Sequence, residues 1–223
     1  FKAVEETKKQ LPKDLPLIGF CGSPWTLAAY SIEGGGSKDF NKTKSFMKEY
    51  PNELREFLEI LSNACYEYLK QQVLSGVNAL QIFDSWADLL SGKDLDDFSL
   101  QYTQILTNQL KADPITSNIP IILFEKAPKK KITELVFKDI SCMSLHWQEN
   151  IKTIAKDFKN KYAIQGNLNP HILLEPDELI WNETQKICTI MNKYPGFIFN
   201  LGHGITPDIK PDKVKVMIDA IRE

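Results

Sequence analysis

Long apolar runs are missing from this 223-residue sequence. No stretch approaches the roughly 18 residues that a membrane-spanning helix needs. Charge of one sign is missing too. Lys plus Arg is 27 and Asp plus Glu is 29, a formal net charge of −2. No overall field draws in nucleic acid or an anionic membrane, so neither is expected as a partner. Arginine is almost absent, with Arg55 and Arg222 alone among the basic residues otherwise made of lysine. The four cysteines, Cys21, Cys65, Cys142 and Cys188, form no CxxC pair. A zinc ribbon is therefore excluded, and reduced thiols in a cytoplasmic protein are expected. What remains, 43% hydrophobic and 25% charged residues, is the composition of a folded globular chain.

The sequence opens on Phe1 rather than methionine, and Phe1–Gln10 reads as a helix entered midway, with no capping residue ahead of it. The expectation is a chain that lacks an N-terminal portion. Beyond it, short apolar runs alternate with long amphipathic ones. PLIGFC (16–21), NALQIF (78–83), PIILF (120–124), ISCMSLHW (140–147), YAIQ (162–165) and GFIFNL (196–201) read as strands buried on both faces, the pattern of a parallel sheet. Between them, Pro51 opens a helix whose Leu54, Phe57, Leu58, Leu61, Cys65, Leu69 and Val73 form one stripe. Similar stretches cover 94–112, the region after Pro176, and the region after Pro211. Strands interleaved with helices imply right-handed parallel crossovers, in an open doubly wound sheet or a (β/α)8 barrel. No GxGxxG follows a strand, which disfavours a dinucleotide fold. The lysine run 129–131 reads as a solvated loop.

In parallel α/β folds the chemistry sits at the carboxyl ends of the strands. After the first strand comes a short helix with Tyr30, then Gly34-Gly35-Gly36, whose backbone N–H groups suit an anion but equally a turn. After the second comes Asp84-Ser85-Trp86. No GxSxG and no adjacent histidine makes Ser85 a nucleophile, which leaves a ligand hydrogen bond or a helix cap. After the sixth comes Gly202-His203-Gly204, an imidazole with little side chain around it to keep a ligand away. His146 reads as a packing residue and His171 as a water-facing one. No two histidines share a helix face and no His-x-Cys exists, so no metal site is expected. The residues alone lead to a parallel α/β protein with a small-molecule site near 34–36, Ser85 and His203.

Those same segments resemble uroporphyrinogen decarboxylase. PLIGFCGSPWTLAAYSIEGGGS (16–37), GVNALQIFDSWADLL (76–90), IQGNLNP (164–170) and NLGHGITPD (200–208) follow the family's order and spacing. The resemblance implies an α/β fold, a single (β/α)8 TIM barrel over 1–223 with the first one or two β/α units missing. It implies a cytoplasmic, homodimeric enzyme that converts the four acetates of uroporphyrinogen to methyls with no cofactor and no metal. Carried over by motif, Tyr30 and His203 are the catalytic candidates, and Tyr30, Phe83, Ser85 and His203 contact the tetrapyrrole.

Two departures stand out. The family's arginine-bearing opening and the aspartate that follows it are absent, and a polycarboxylate wants fixed arginines. The chain by itself is therefore expected to lack decarboxylase activity. The family's LDW is Leu145-His146-Trp147 here, and its GNLDP is GNLNP, with Asn169 at the changed position. Two rival readings remain: a corrinoid-dependent methyltransferase on the same barrel, which needs zinc ligands this sequence lacks, and a non-catalytic fragment.

Overall fold

Each of the six apolar runs forms a strand, because a run without polar interruptions satisfies its backbone by pairing; burial on both faces holds for the inner strands, whereas the first and last leave Ile18, Phe20 and Ile198 exposed. The computed structural model describes residues 1–126, 137–158 and 161–223, and the chain divides into two units, Phe1–Ser141 and Cys142–Glu223. The lysine run 129–131 lies outside the described residues.

In the first unit, helix α1 (Lys2–Gln10) precedes strand β1 (Ile18–Gly22), then α2 (Pro24–Glu33), α3 (Asn41–Glu49), the long α4 (Pro51–Leu74) and β2 (Ala79–Asp84). A helical run follows as α5 (Gly92–Leu95), a wider π turn over Asp96–Leu100, and α6 (Gln101–Ala112), leading into β3 (Ile121–Glu125). The strands pair in parallel and in order, with Gly22 opposite Phe83 and Phe83 opposite Phe124. Alternation then sorts the side chains. Phe20, Phe83 and Phe124 share one face, with successive ring centroids 6.0 Å apart. Cys21, Ile82, Asp84, Leu123 and Glu125 turn the other way and are buried.

Among the described residues β1 pairs with a strand on one side only, and α4 covers the other. The Gln72 carboxamide accepts from the Phe20 N–H and donates to the Phe20 C=O, each at 3.0 Å. A side chain thus takes the place of a neighbouring strand and blunts an edge that otherwise invites pairing. A Cβ on Gly19 would lie 2.6 Å from the Gln72 Oε1, which is why this strand position has no side chain.

In the second unit, β4 (Cys142–Ser144) leads to α7 (Ile151–Asp157), β5 (Ala163–Leu168), α8 (Asp177–Met191), β6 (Phe197–Leu201) and α9 (Pro211–Arg222). The strands again run parallel, β4 beside β5 and β5 beside β6. Leu168, Leu173, Ile180, Ile209 and Met217 form its core. Pro211 occupies the first turn of α9, where its missing N–H costs nothing. The asparagine at 150 caps α7 by accepting from the Thr153 N–H at 3.1 Å. Among the described residues no helix is long and apolar enough to cross a membrane.

Candidate functional site

The carboxyl end of β2 in the first unit is built around one buried carboxylate. Asp84 accepts a hydrogen bond from the Thr26 hydroxyl at 2.8 Å and another from the Ser99 hydroxyl. Burial pushes its carboxyl up, and the hydroxyls of Ser99, Thr26 and Ser23 pull it back down. The same Thr26 oxygen accepts from the Trp86 N–H at 3.4 Å, and the Trp25 indole donates to the Trp86 carbonyl at 2.9 Å. These bonds fix the loop of Ser85 and Trp86 against α2. Ser23, the N-cap of α2, accepts from the Thr26 N–H at 3.0 Å and sets the start of that helix.

Tyr30 stands two turns along α2, 39% exposed. Its ring packs edge-on against Phe40 at 6.1 Å and Trp86 at 5.9 Å. These contacts hold the phenol in place, and its hydroxyl has no hydrogen-bond partner among the described residues. Phe83 is partly buried, on the open face of the aromatic row. The Ser85 hydroxyl also has no partner among the described residues. It does not cap the short helical turn after it, since Trp86 holds that position and makes no side-chain cap bond. Lys126, at the end of β3, pairs with Asp88 at 2.9 Å and sets its ammonium 5.7 Å over the Trp86 ring. Tyr30, Phe83 and Ser85 thus belong to one unit with Trp86 and Lys126 beside them, two residues that reading the sequence passed over.

The triple glycine is a helix end. The N–H groups of Gly34 and Gly35 both donate to the Tyr30 carbonyl, at 2.9 and 3.0 Å. Gly34 takes the left-handed conformation (φ 87°) that closes α2. Two of the three N–H groups are spent on the cap, so the anion cradle considered from the sequence gives way to the turn. Glu33 completes the corner. Desolvation raises its carboxyl, but hydrogen bonds from the Thr43 N–H and hydroxyl, both at 3.1 Å, outweigh this and hold it below its ordinary value.

In the second unit all three histidines gather beyond the strand ends. His203 follows β6 and is exposed. Its ring meets that of His146 edge-on at 5.9 Å. His146 is buried just past β4 and lies 5.4 Å from Trp147, whose ring stands 6.4 Å from His171. The Asn167 amide donates to the carbonyls of His146 at 2.9 Å and Glu149 at 2.8 Å, pinning this loop to β5. Trp147 donates its N–H to the Gly202 carbonyl at 3.2 Å. A Cβ on Gly202 would come within 2.3 Å of the Trp147 nitrogen, so the glycine before His203 exists to let two backbones touch. His171 is exposed in a 3₁₀ turn, as expected from its place after Pro170.

Neither arginine joins these groups. Arg55 on α4 pairs with Asp97 at 3.1 Å and covers the Phe98 ring at 4.7 Å. Arg222 ends α9 at the surface. Among the described residues no three His, Cys, Asp or Glu side chains gather as metal ligands. A cavity of about 210 Å³ opens at the other ends of β5 and β6, beside Tyr162 and Gly196, away from the histidines.

Parallel strands joined by helices in both units define an α/β protein. A methyltransferase from Methanosarcina mazei superposes with a TM-score of 0.77 over 99% of this chain and 62% of its own, at 20% identity. A B12-independent methionine synthase from Shewanella sp. W3-18-1 gives 0.62 over 99% and 64%, at 11% identity. At such identities both speak for the fold alone. The family model for uroporphyrinogen decarboxylase (URO-D) matches residues 1–223, and the chain belongs to that family. Uroporphyrinogen decarboxylases of Ruthia magnifica and Vesicomyosocius okutanii are 39% and 40% identical to it over 221 residues. That of Legionella pneumophila (strain Lens) is 37% identical over 223. The chain spans 64%, 63% and 63% of those three proteins.

Proposed function

We propose that the protein decarboxylates the four acetate side chains of uroporphyrinogen III to give coproporphyrinogen III, as a cytoplasmic homodimer acting without a metal or organic cofactor. The observation that carries this reading is the match of the family model over the whole chain. The chemistry asks for no cofactor. A pyrrole protonated beside the acetate accepts the electrons that departing CO2 leaves behind, so the protein has to hold the macrocycle, stabilise a cationic ring and manage protons.

The chain's own groups suit those tasks. The Tyr30 and Ser85 hydroxyls have no partner among the described residues and can donate to substrate carboxylates. Phe83, in a row of rings, offers an apolar face to a flat macrocycle. His203 is exposed, so its imidazole can bind or polarise a carboxylate. We assign Tyr30 and His203 as the catalytic pair, and Tyr30, Phe83, Ser85 and His203 as substrate contacts. We read 1–223 as part of a barrel domain, the chain spanning 63–64% of the length of these relatives. The methyltransferase alternative lacks its ligands: β3 ends in Phe124-Glu125-Lys126, with no His-x-Cys.

The test is direct. The 1–223 chain incubated with uroporphyrinogen is expected to form no coproporphyrinogen, because its arginines stand on α4 and α9. The same chain fused behind the portion of the Ruthia magnifica protein that the match leaves out is expected to form it. Product from neither protein contradicts the proposed activity. Product from the chain alone contradicts the need for the absent arginines.

A further inference from the structure

Cys21 and Cys65 are the one chemically reactive pair of the first unit that the proposed reaction does not use. Cys21 is the fourth residue of β1 and turns toward the helices; Cys65 lies on the buried stripe of α4. Both are free and buried. The Cys65 thiol donates to the carbonyl of Gly22, the residue after Cys21, at 3.6 Å, and each thiol shifts the ionisation of the other. Both line one cavity of about 390 Å³, together with Phe20, Leu27, Ala64 and Tyr68. The two thiols therefore share the wall of a space that admits a small neutral molecule.

We propose that Cys21 and Cys65 form a dithiol oxidised by hydroperoxides to a disulfide that ties strand β1 to helix α4. The steps balance. The Cys65 thiolate attacks a peroxide oxygen; an S–O bond forms, the O–O bond breaks, and the departing oxygen leaves, after taking a proton, as water from hydrogen peroxide or as an alcohol from an organic hydroperoxide. The Cys21 sulfur then attacks the Cys65 sulfenic acid; the S–S bond forms, the S–O bond breaks, and water leaves. Two thiols lose two electrons and the peroxide gains them.

Order between the two sulfurs follows from their effect on each other. Cys21 beside it lowers the Cys65 thiol, while Cys65 and burial raise Cys21 well above the ordinary value. Cys65 thus ionises first and attacks first, and Cys21 resolves. The other two thiols stand apart from this chemistry. Burial pushes Cys142 up to about 12, and burial also raises Cys188. The disulfide would close the stretch 21–65, which carries α2 and Tyr30, so the oxidised form is expected to unfold at a higher temperature than the reduced one.

The experiment uses the reduced 1–223 chain, hydrogen peroxide, intact-mass measurement, peptide mapping and thiol titration. The expected product is lighter by about 2 Da. It keeps two of the four free thiols, has its Cys21 and Cys65 peptides linked, and reverts with dithiothreitol. Cys65→Ser should give no such product at the same dose, with Cys65→Ala as the second variant if serine disturbs folding. Cys21→Ser should stall with Cys65 as a sulfenic acid that dimedone traps. A wild-type product heavier by about 16 or 32 Da with no linkage overturns the proposal. So does a link through Cys142 or Cys188, or a disulfide between two chains.

Discussion

Replacing Gly202 by alanine is expected to destabilise the protein by about 3 kcal/mol, the upper part of what an added methyl costs a filled site. The Cβ would fall 2.3 Å from the Trp147 nitrogen and 2.5 Å from its Cα. Both are backbone atoms, so no side-chain rotation relieves the clash. Moving the loop instead breaks the bond from the Trp147 N–H to the Gly202 carbonyl. It also disturbs the edge-on contact of His146 with His203. Gly204, two residues on, is the control. Nothing lies within 4 Å of a Cβ there, and Gly204→Ala should stay within about 0.5 kcal/mol of the parent. Urea unfolding followed by tryptophan fluorescence reads both. Equal midpoints for the parent and Gly202→Ala would show that the two backbones are not in contact.

The opposite sign is expected at Glu125. This carboxyl closes β3 facing the helices, fully buried, and neither of its oxygens has a hydrogen-bond partner among the described residues. Its neighbour across the strand pair is Asp84. Burial drives the Glu125 carboxyl well above its ordinary value, and the Asp84 charge drives it further. Asp84 has the hydroxyl donors and Glu125 has none, so the negative charge rests on Asp84 and Glu125 keeps its proton. The consequence for pH has a definite sign. A carboxyl that holds its proton more tightly folded than unfolded imposes no loss below the unfolded value near 4.5. Above it the unfolded chain releases a proton that the folded chain retains. Stability then falls with rising pH, by up to about 1.4 kcal/mol per pH unit, until the folded carboxyl ionises. Glu125→Met removes the group at similar volume. The variant should gain about 1–3 kcal/mol at pH 7, the cost of an unpaired buried polar group. The difference between the two midpoints should widen from pH 5 upward. Over that range carboxyls held low, such as Asp113 at about 2, are ionised in both states and add no slope. Parallel curves for the two proteins would place Glu125 in water or on a partner.

Glu125 also shows where the sequence stops being readable. The strand pattern ends at Phe124 because the next residue carries a charge at neutral pH, yet the strand continues one residue into the core. The six strands and the long helices were legible because their patterns are dense: PIILF admits nothing but burial, and the stripe from Leu54 to Val73 repeats over 24 residues of helix. β4 was read too long, as 140–147, since Cys, Met, Leu and Trp continue past the pairing; only Cys142–Ser144 is strand. Asn167 explains the end, because its amide takes the His146 and Glu149 carbonyls that a longer strand would use. Tyr30, Ser85 and His203 stand out in the sequence through their places after strands. The Asp84 network and the Gln72 edge cap were not, because they join residues 58 and 52 positions apart. Local patterning carries no trace of such pairs.

The most direct measurement takes the fused protein behind the proposed activity and compares kcat/KM for uroporphyrinogen across Tyr30→Phe, Ser85→Ala and His203→Asn. The first two substitutions remove a hydroxyl with no partner among the described residues, and the third alters an exposed ring, so all three should leave the unfolding midpoint close to the parent. Each should lower kcat/KM by about tenfold or more, the loss expected when one substrate hydrogen bond to a charged group disappears. Three folded variants that turn over uroporphyrinogen as fast as the parent would contradict the assignment of these residues to the substrate.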